Sequence, residues 1–230
     1  MRHLRSPSVH NLDLEPFSLK KFARKRRQKR RGLFAAPYDR PDLGLFNEHS
    51  DCVVEQYGLA ALHVQDRVIR CEVDCDCVTA HLESGEQLCA SSIVLAIGAS
   101  DQPLWPSWAP TDHARIRHVF EPGFDGWPVA TETVVVVGGG ISAGQVALRL
   151  SKEGHRVHVI ARHNLREHQF DSSPGWLGPK FKSGFKRVQS YERRRALIGN
   201  ARHRGSVPTE IRRPLSAAIK TGAIQWHRSA

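Results

Sequence analysis

The segment Thr131–Arg162, TETVVVVGGGISAGQVALRLSKEGHRVHVIAR, constrains the fold of this chain more than any other stretch. Its β-branched run Thr133–Val137 reads as a strand, Ser142–Lys152 as a helix stopped by Gly154, and Arg156–Ala161 as a second strand. Two strands joined by a helix pair in parallel through a right-handed crossover, which places the chain in the α/β class. The turn between the first strand and the helix is Gly138-Gly139-Gly140-Ile141-Ser142-Ala143, a G-x-G-x-x-A form of the dinucleotide fingerprint. Gly138 permits the tight turn, and Gly140 has no side chain to keep a pyrophosphate from the backbone. Ala143 is small enough for the helix to pack on the strand. Gly139 and Ser142 complete a loop whose unpaired N–H groups, at the positive end of the helix dipole, favour an anion. The alternative is a glycine-rich turn that only packs.

The end of the second strand selects the dinucleotide. A carboxylate there would accept hydrogen bonds from a ribose 2′-hydroxyl and repel a 2′-phosphate. This sequence has Ala161 followed by Arg162, and a guanidinium can grip a phosphate with two parallel hydrogen bonds. His163 and Arg166 are placed to join the same pocket. NADP(H) is therefore expected over NAD(H), the alternative being that Arg162 is a solvated surface charge.

Around this unit the chain is less explicit. From Leu62 to Ile97 short strands (Val64–Cys71, Cys77–Leu82, Gln87–Cys89) separated by turn residues predict an antiparallel meander. The apolar run Ser92–Ile97, ending at Gly98, predicts a strand buried on both faces. A helix is expected over Leu43–Tyr57 with Gly58 as its stop. Another is expected to begin near Pro214 and end at Gly222, followed by a third parallel strand over Ala223–His227. The Pro- and Trp-rich stretch 104–130 reads as a linker.

With 34 Lys and Arg against 23 Asp and Glu the net charge is +11, and much of the excess lies in Lys20–Arg31 and Lys180–Arg213. A solvated helix face or loop accounts for the first run better than a nucleic-acid-binding arm, because only Phe22 offers an aromatic ring for stacking. No apolar run is long enough for a membrane span, and the N-terminus lacks the apolar core of a signal peptide. Five cysteines without such a signal predict free thiols and a cytoplasmic setting. Cys71, Cys75 and Cys77 fit no common zinc spacing, so no metal is expected.

Four stretches extend the reading. LRSPSVHNLDLEPFSLKKFA is similar to the region that follows the flavin-binding segment in two-dinucleotide FAD/NAD(P)-binding flavoproteins. IVLAIGASDQPLWP looks like their hydrophobic strand with an ATG-type motif, here Ala96-Ile97-Gly98. GGGISA looks like their NADPH turn, and FDSSPGWLGPKF and ARHRGSVP look like loops of related uncharacterised oxidoreductases. Within this group the chain most resembles the flavin-dependent monooxygenases that N-hydroxylate lysine or ornithine. Such a flavoprotein would use NADPH to reduce an FAD, which then supplies an oxygen atom to a nucleophilic nitrogen or sulfur of a small-molecule substrate. The resemblance implies a Rossmann-like α/β fold in two incomplete domains. Residues 1–103 would be a partial FAD-binding domain with the meander, 104–130 a linker, and 131–230 an NADP(H)-binding domain. It places Arg5, Ala96 and Gly98 near the flavin. It also implies an earlier strand–GxGxxG–helix, which nothing before Gly138 supplies, so the sequence reads as truncated at both ends. A non-catalytic NADP(H)-binding module is the rival expectation. Trp105, Trp108, Trp127 and Trp176 are candidates to wall a pocket, and His168 with Asp171 a candidate pair near the nicotinamide. No catalytic residue is assigned.

Overall fold

The computed structural model describes residues 2–26, 32–98 and 102–228. In chain order the elements are α1 (Ser18–Arg26), β1 (Phe34–Ala35), β2 (Arg40–Pro41), α2 (Leu43–Gln56), β3 (Val68–Val73), β4 (Val78–Leu82) and β5 (Gln87–Ala90). They continue with β6 (Thr133–Val137), α3 (Ile141–Lys152), β7 (Arg156–Ala161), β8 (Arg166–Glu167), α4 (Pro179–Lys186) and α5 (Tyr191–Ala201). The chain closes with β9 (Ser206–Val207), α6 (Thr209–Lys220) and β10 (Ile224–Arg228). The chain divides into two compact units, Met1–Leu59 with Ala130–Ala230, and Ala60–Val129.

The first unit is built on a parallel sheet in the order β10-β7-β6, with Val136 and Trp226 both level with Val159 on the central strand. Burial alternates along β7: Val157, Val159 and Ala161 are buried while Arg156 and Ile160 are exposed. That period of two gives the sheet one covered face. Ala147 and Leu150 of α3, Ile211 and Leu215 of α6, and Ile224 complete this core. Gly144 on α3 lets the two helices meet, for a Cβ there would stand 2.9 Å from Ile211 Cγ2. A second small core joins Leu19 and Ala23 of α1 to Leu33 and Leu45, with Phe22, Phe34 and Phe46 packed against it. Asp42 caps α2 by accepting from the Gly44 and Leu45 N–H groups, and Gly58 follows that helix at φ +62°.

The N-terminal segment is tied to the β8–β9 pair and to the start of α6. Arg5 donates to the carbonyls of His168 (2.9 Å) and Gln169 (3.2 Å) and to Ser206 Oγ (3.3 Å). Arg40, 2% exposed, donates to Ala36 O and Leu4 O and pairs with Glu210 at the start of α6. Tyr38 meets Phe170 edge-on at 5.7 Å. A buried guanidinium is tolerated only with such a full set of acceptors.

The second unit holds the meander: β3-β4-β5, antiparallel throughout, with Thr79 level with Glu72 on one side and Cys89 on the other.

Two expectations are corrected. Ser92–Ile97 forms no strand and is open to solvent, Val94 at 88% and Ile97 at 84%. A strand buried on both faces needs paired neighbours and cover, and among the described residues nothing pairs with this run. The last helix begins at Thr209, not near Pro214, which sits on its exposed side. Pro208 is the N-cap, and its carbonyl accepts from Ile211 N and Arg212 N. Of the basic run Lys20–Arg31, residues 27–31 lie outside the described residues. Within it Lys20 pairs with Asp39 at 2.6 Å, and Lys21 pairs with Glu15.

Candidate nucleotide site

The glycine turn joins β6 to α3. Gly138 has φ +135°, a conformation that disfavours L side chains, and a Cβ on it would lie 3.4 Å from Ala143 Cβ. Gly140 is the N-cap of α3, with no side chain satisfying the first N–H groups of that helix. A Cβ at Gly140 would touch only Gly205 Cα, at 3.7 Å. The turn thus combines open backbone, unclaimed donors and the positive end of a helix dipole, which is the setting an anionic diphosphate requires.

The rim is formed by the segment after β7 and by the loop before β9. His163 inserts between two glycines: a Cβ on Gly139 would come within 2.8 Å of its ring, and one on Gly205 within 2.3 Å. Its Nδ1 lies 2.8 Å from Asn164 O. Gly205, at φ +69°, is a member of the rim that no local sequence signal marks. Arg162 leaves the end of β7 exposed to solvent, and among the described residues no carboxylate pairs with it. Arg166 sits on β8, held in parallel register with Ser206. The structure places Gly138, Gly139, Gly140, Ser142 and Ala143 in the turn with His163 against it, while Arg162 follows β7 and Arg166 lies on β8.

Other candidates fall elsewhere. Asp171 pairs with Arg202 (2.6 Å) and not with His168, whose ring stacks on His203 at 3.8 Å. Burial, followed by the charges of His203, Arg5 and Arg166, lowers the pKa of His168 and favours its neutral form. Arg5 is committed to backbone carbonyls, and burial lowers its pKa against the pull of Asp171 and Glu210. Ala96 and Gly98 belong to the meander unit, and both are exposed; Gly98 has φ +61° with open space around it. Arg5 lies in the first unit, and Ala96 and Gly98 lie in the second. Three of the four candidate tryptophans pack locally, Trp105 on His118, Trp127 on Phe124, and Trp176 on Phe181 and Phe185, whereas Trp108 is exposed. A groove of about 740 Å³ between α1 and α2, lined by Asp13, Ser18, His49 and Tyr57 among others, contains none of the residues picked out for nucleotide binding. Among the described residues no three His, Cys, Asp or Glu side chains are placed to hold a metal ion.

Residues 48–210, which include the whole turn and its rim, match the family model described as pyridine nucleotide-disulphide oxidoreductase. The chain belongs to this family. Membership in the pyridine nucleotide-disulphide oxidoreductases implies FAD and NAD(P)H as cofactors. No curated protein matches the chain in sequence. Among solved structures, the reduced form of ornithine hydroxylase (PvdA) from Pseudomonas aeruginosa aligns over 99% of this chain and 59% of its own, with TM-score 0.57 and 17% identity. Bacillithiol disulfide reductase Bdr (YpdA) from Bacillus cereus aligns over 97% of this chain and 55% of its own, with TM-score 0.52 and 20% identity. At these identities the likeness is one of fold. The chain spans little more than half the length of either protein.

Proposed function

We propose that this member of the family binds NADP(H), in preference to NAD(H), over Gly138–Ala143, with Arg162 gripping the 2′-phosphate and His163 and Arg166 beside it. The observation that carries the reading is the N-terminus of α3 at Gly140, which no side chain caps, one strand away from the exposed guanidinium of Arg162. The protein then serves as an NADPH-dependent flavoprotein oxidoreductase. In that role residues 131–230 receive the nicotinamide dinucleotide and residues 1–103 contribute to the flavin side.

Within that class we favour a monooxygenase of the N-hydroxylating type, supported by the sequence stretches it resembles and by the fold shared with ornithine hydroxylase. FAD would supply the oxygen chemistry; this chain's own residues bind and orient the reductant. A disulfide reductase is the second reading, favoured by the fold shared with Bdr. Among the described residues no helix is long and apolar enough to cross a membrane. The test is titration calorimetry of the wild type and Arg162→Ala with NADPH and NADH. Losing a solvent-exposed charge-assisted pair costs about 1.5 kcal/mol, so NADPH should weaken about tenfold while NADH hardly changes. Equal weakening of both nucleotides refutes the assignment of Arg162.

A further inference from the structure

The groove between α1 and α2 holds a polar pair that nucleotide binding does not use. It lies wholly within the first unit. His49 shares the buried face of α2 with Leu45 and Val53 and is only 3% exposed. Its Nε2 lies 2.5 Å from Ser18 Oγ, while its Nδ1 is buried with no hydrogen-bond partner among the described residues. Phe22 meets the imidazole edge-on at 5.4 Å. Ser18 is the first residue of α1 and lines the same groove as His49. Its own N–H donates to Glu15 O, and Lys21 N–H donates to Phe17 O, but the N–H groups of Leu19 and Lys20 have no acceptor among the described residues. Leu19 is anchored in the second small core, which fixes these donors next to Ser18 at the positive end of the helix.

We propose that this groove is a second, hydrolytic site, with Ser18 as nucleophile toward a small carboxylic ester, His49 as its general base and the first-turn N–H groups of α1 as oxyanion donors. A hydroxyl within hydrogen-bond reach of an imidazole, followed in sequence by a free N–H, is the arrangement acyl transfer uses. Burial lowers the pKa of His49 against the raising charge of Asp13, so the ring is neutral at neutral pH and able to take a proton. Asp13, Glu15 and Glu55 are nearly balanced by Lys21 and Lys25 along the groove, and Phe22 and Val53 supply apolar wall, which suits a neutral ester. With the ring proton on Nδ1, Ser18 Oγ–H donates to Nε2. As Oγ attacks the carbonyl carbon, its proton passes to Nε2 and the carbonyl oxygen becomes the oxyanion. The ester C–O bond then breaks, and His49 returns the proton to the departing alkoxide. A water attacks the acyl-serine, gives one proton to His49, and releases the carboxylic acid as Ser18 Oγ regains that proton. One ester and one water become one alcohol and one acid, with no change of oxidation state.

The test treats the full chain with a fluorophosphonate and, separately, with para-nitrophenyl acetate. The expected adduct is a phosphonyl group on Ser18, located by peptide mapping, and its formation should block release of nitrophenolate. Ser18→Ala and His49→Gln should each lower turnover by about 100-fold or more, towards the buffer rate, and abolish the adduct. Cys52→Ser, which removes another nucleophile of the groove, should keep both. Melting curves establish that each variant is folded, and mapping on the wild type decides the matter without them. An adduct on another residue, no adduct on Ser18 in the folded wild type, or turnover retained by folded Ser18→Ala overturns the proposal.

Discussion

Gly140→Ala separates the cost of a methyl group to the fold from its cost to the ligand. At Gly140 the backbone has φ −96° and ψ −173°, which any residue adopts, and the new Cβ would meet only Gly205 Cα at 3.7 Å, an ordinary contact. Stability therefore changes only by the poorer N-cap propensity of alanine, about 1 kcal/mol. For a unit of this size that is a fall in melting temperature of about 2–4 °C. A diphosphate resting on the same backbone would face the methyl directly. Displacing it forfeits at least one charge-assisted hydrogen bond, about 1.5–3 kcal/mol, and adds steric strain of about 1–3 kcal/mol. The sum predicts that NADPH and NADH affinity both fall by about 100-fold or more, read by titration calorimetry beside a thermal melt. An unchanged dissociation constant in a folded variant shows that the nucleotide does not lie on this turn. Gly139→Ala would not serve, because its Cβ would strike His163 and confuse the two costs.

Gly144→Val puts branched carbon where Ile211 Cγ2 stands 2.9 Å from even the first added atom; it should destabilise the parallel-sheet unit by about 2–3 kcal/mol in a chemical melt, and a loss under 0.5 kcal/mol contradicts the close packing of α3 on α6. Glu210→Ala leaves the buried Arg40 with carbonyl acceptors only, for an expected loss of about 2–3 kcal/mol, at the low end for a buried pair because Glu210 is itself 38% exposed. Burial pushes the Glu210 pKa up, but hydrogen bonds from Arg40, its own backbone and Gln169 outweigh this and hold it below the ordinary value. Its stabilisation is therefore present above the unfolded carboxylate pKa and lost as pH falls through the lower folded one. Melts from pH 6 to pH 3 should show a steeper acid decline in the wild type than in Glu210→Ala, and parallel curves would refute the pairing. Pro214→Ala, on the exposed side of α6, restores a donor to the helix and should stabilise by about 1–2 kcal/mol after the entropy that proline removes from the unfolded chain is deducted; a destabilisation would show that the ring itself is packed.

What was legible in the sequence follows from how local each determinant is. The turn at Gly138–Ala143, the strand at Arg156–Ala161 and the meander are written in contiguous spacing, and each forms within a few residues of its expected bounds. The attachment of the N-terminal segment is not written anywhere contiguous. Arg5 reaches across 164 residues to Gln169, and Arg40 across 170 to Glu210, so neither partner can be inferred from the neighbours of the other. The same limit hid Gly205, which is needed only because His163 and Gly140 approach it from other elements. Pro214 misled for a related reason: proline favours a first turn locally, yet the helix continues N-terminal to it because Ile211 and Leu215 are buried on one face, and that packing outweighs one missing backbone bond. The run Ile93–Ile97 shows the converse. Its apolar residues state that burial would be favourable, but a strand is a property of paired neighbours, and pattern alone does not supply them. The glycine turn was readable here because bare backbone and a helix N-terminus are local features; of the residues packed against it, His163 follows the same strand and was readable, and Gly205 was not.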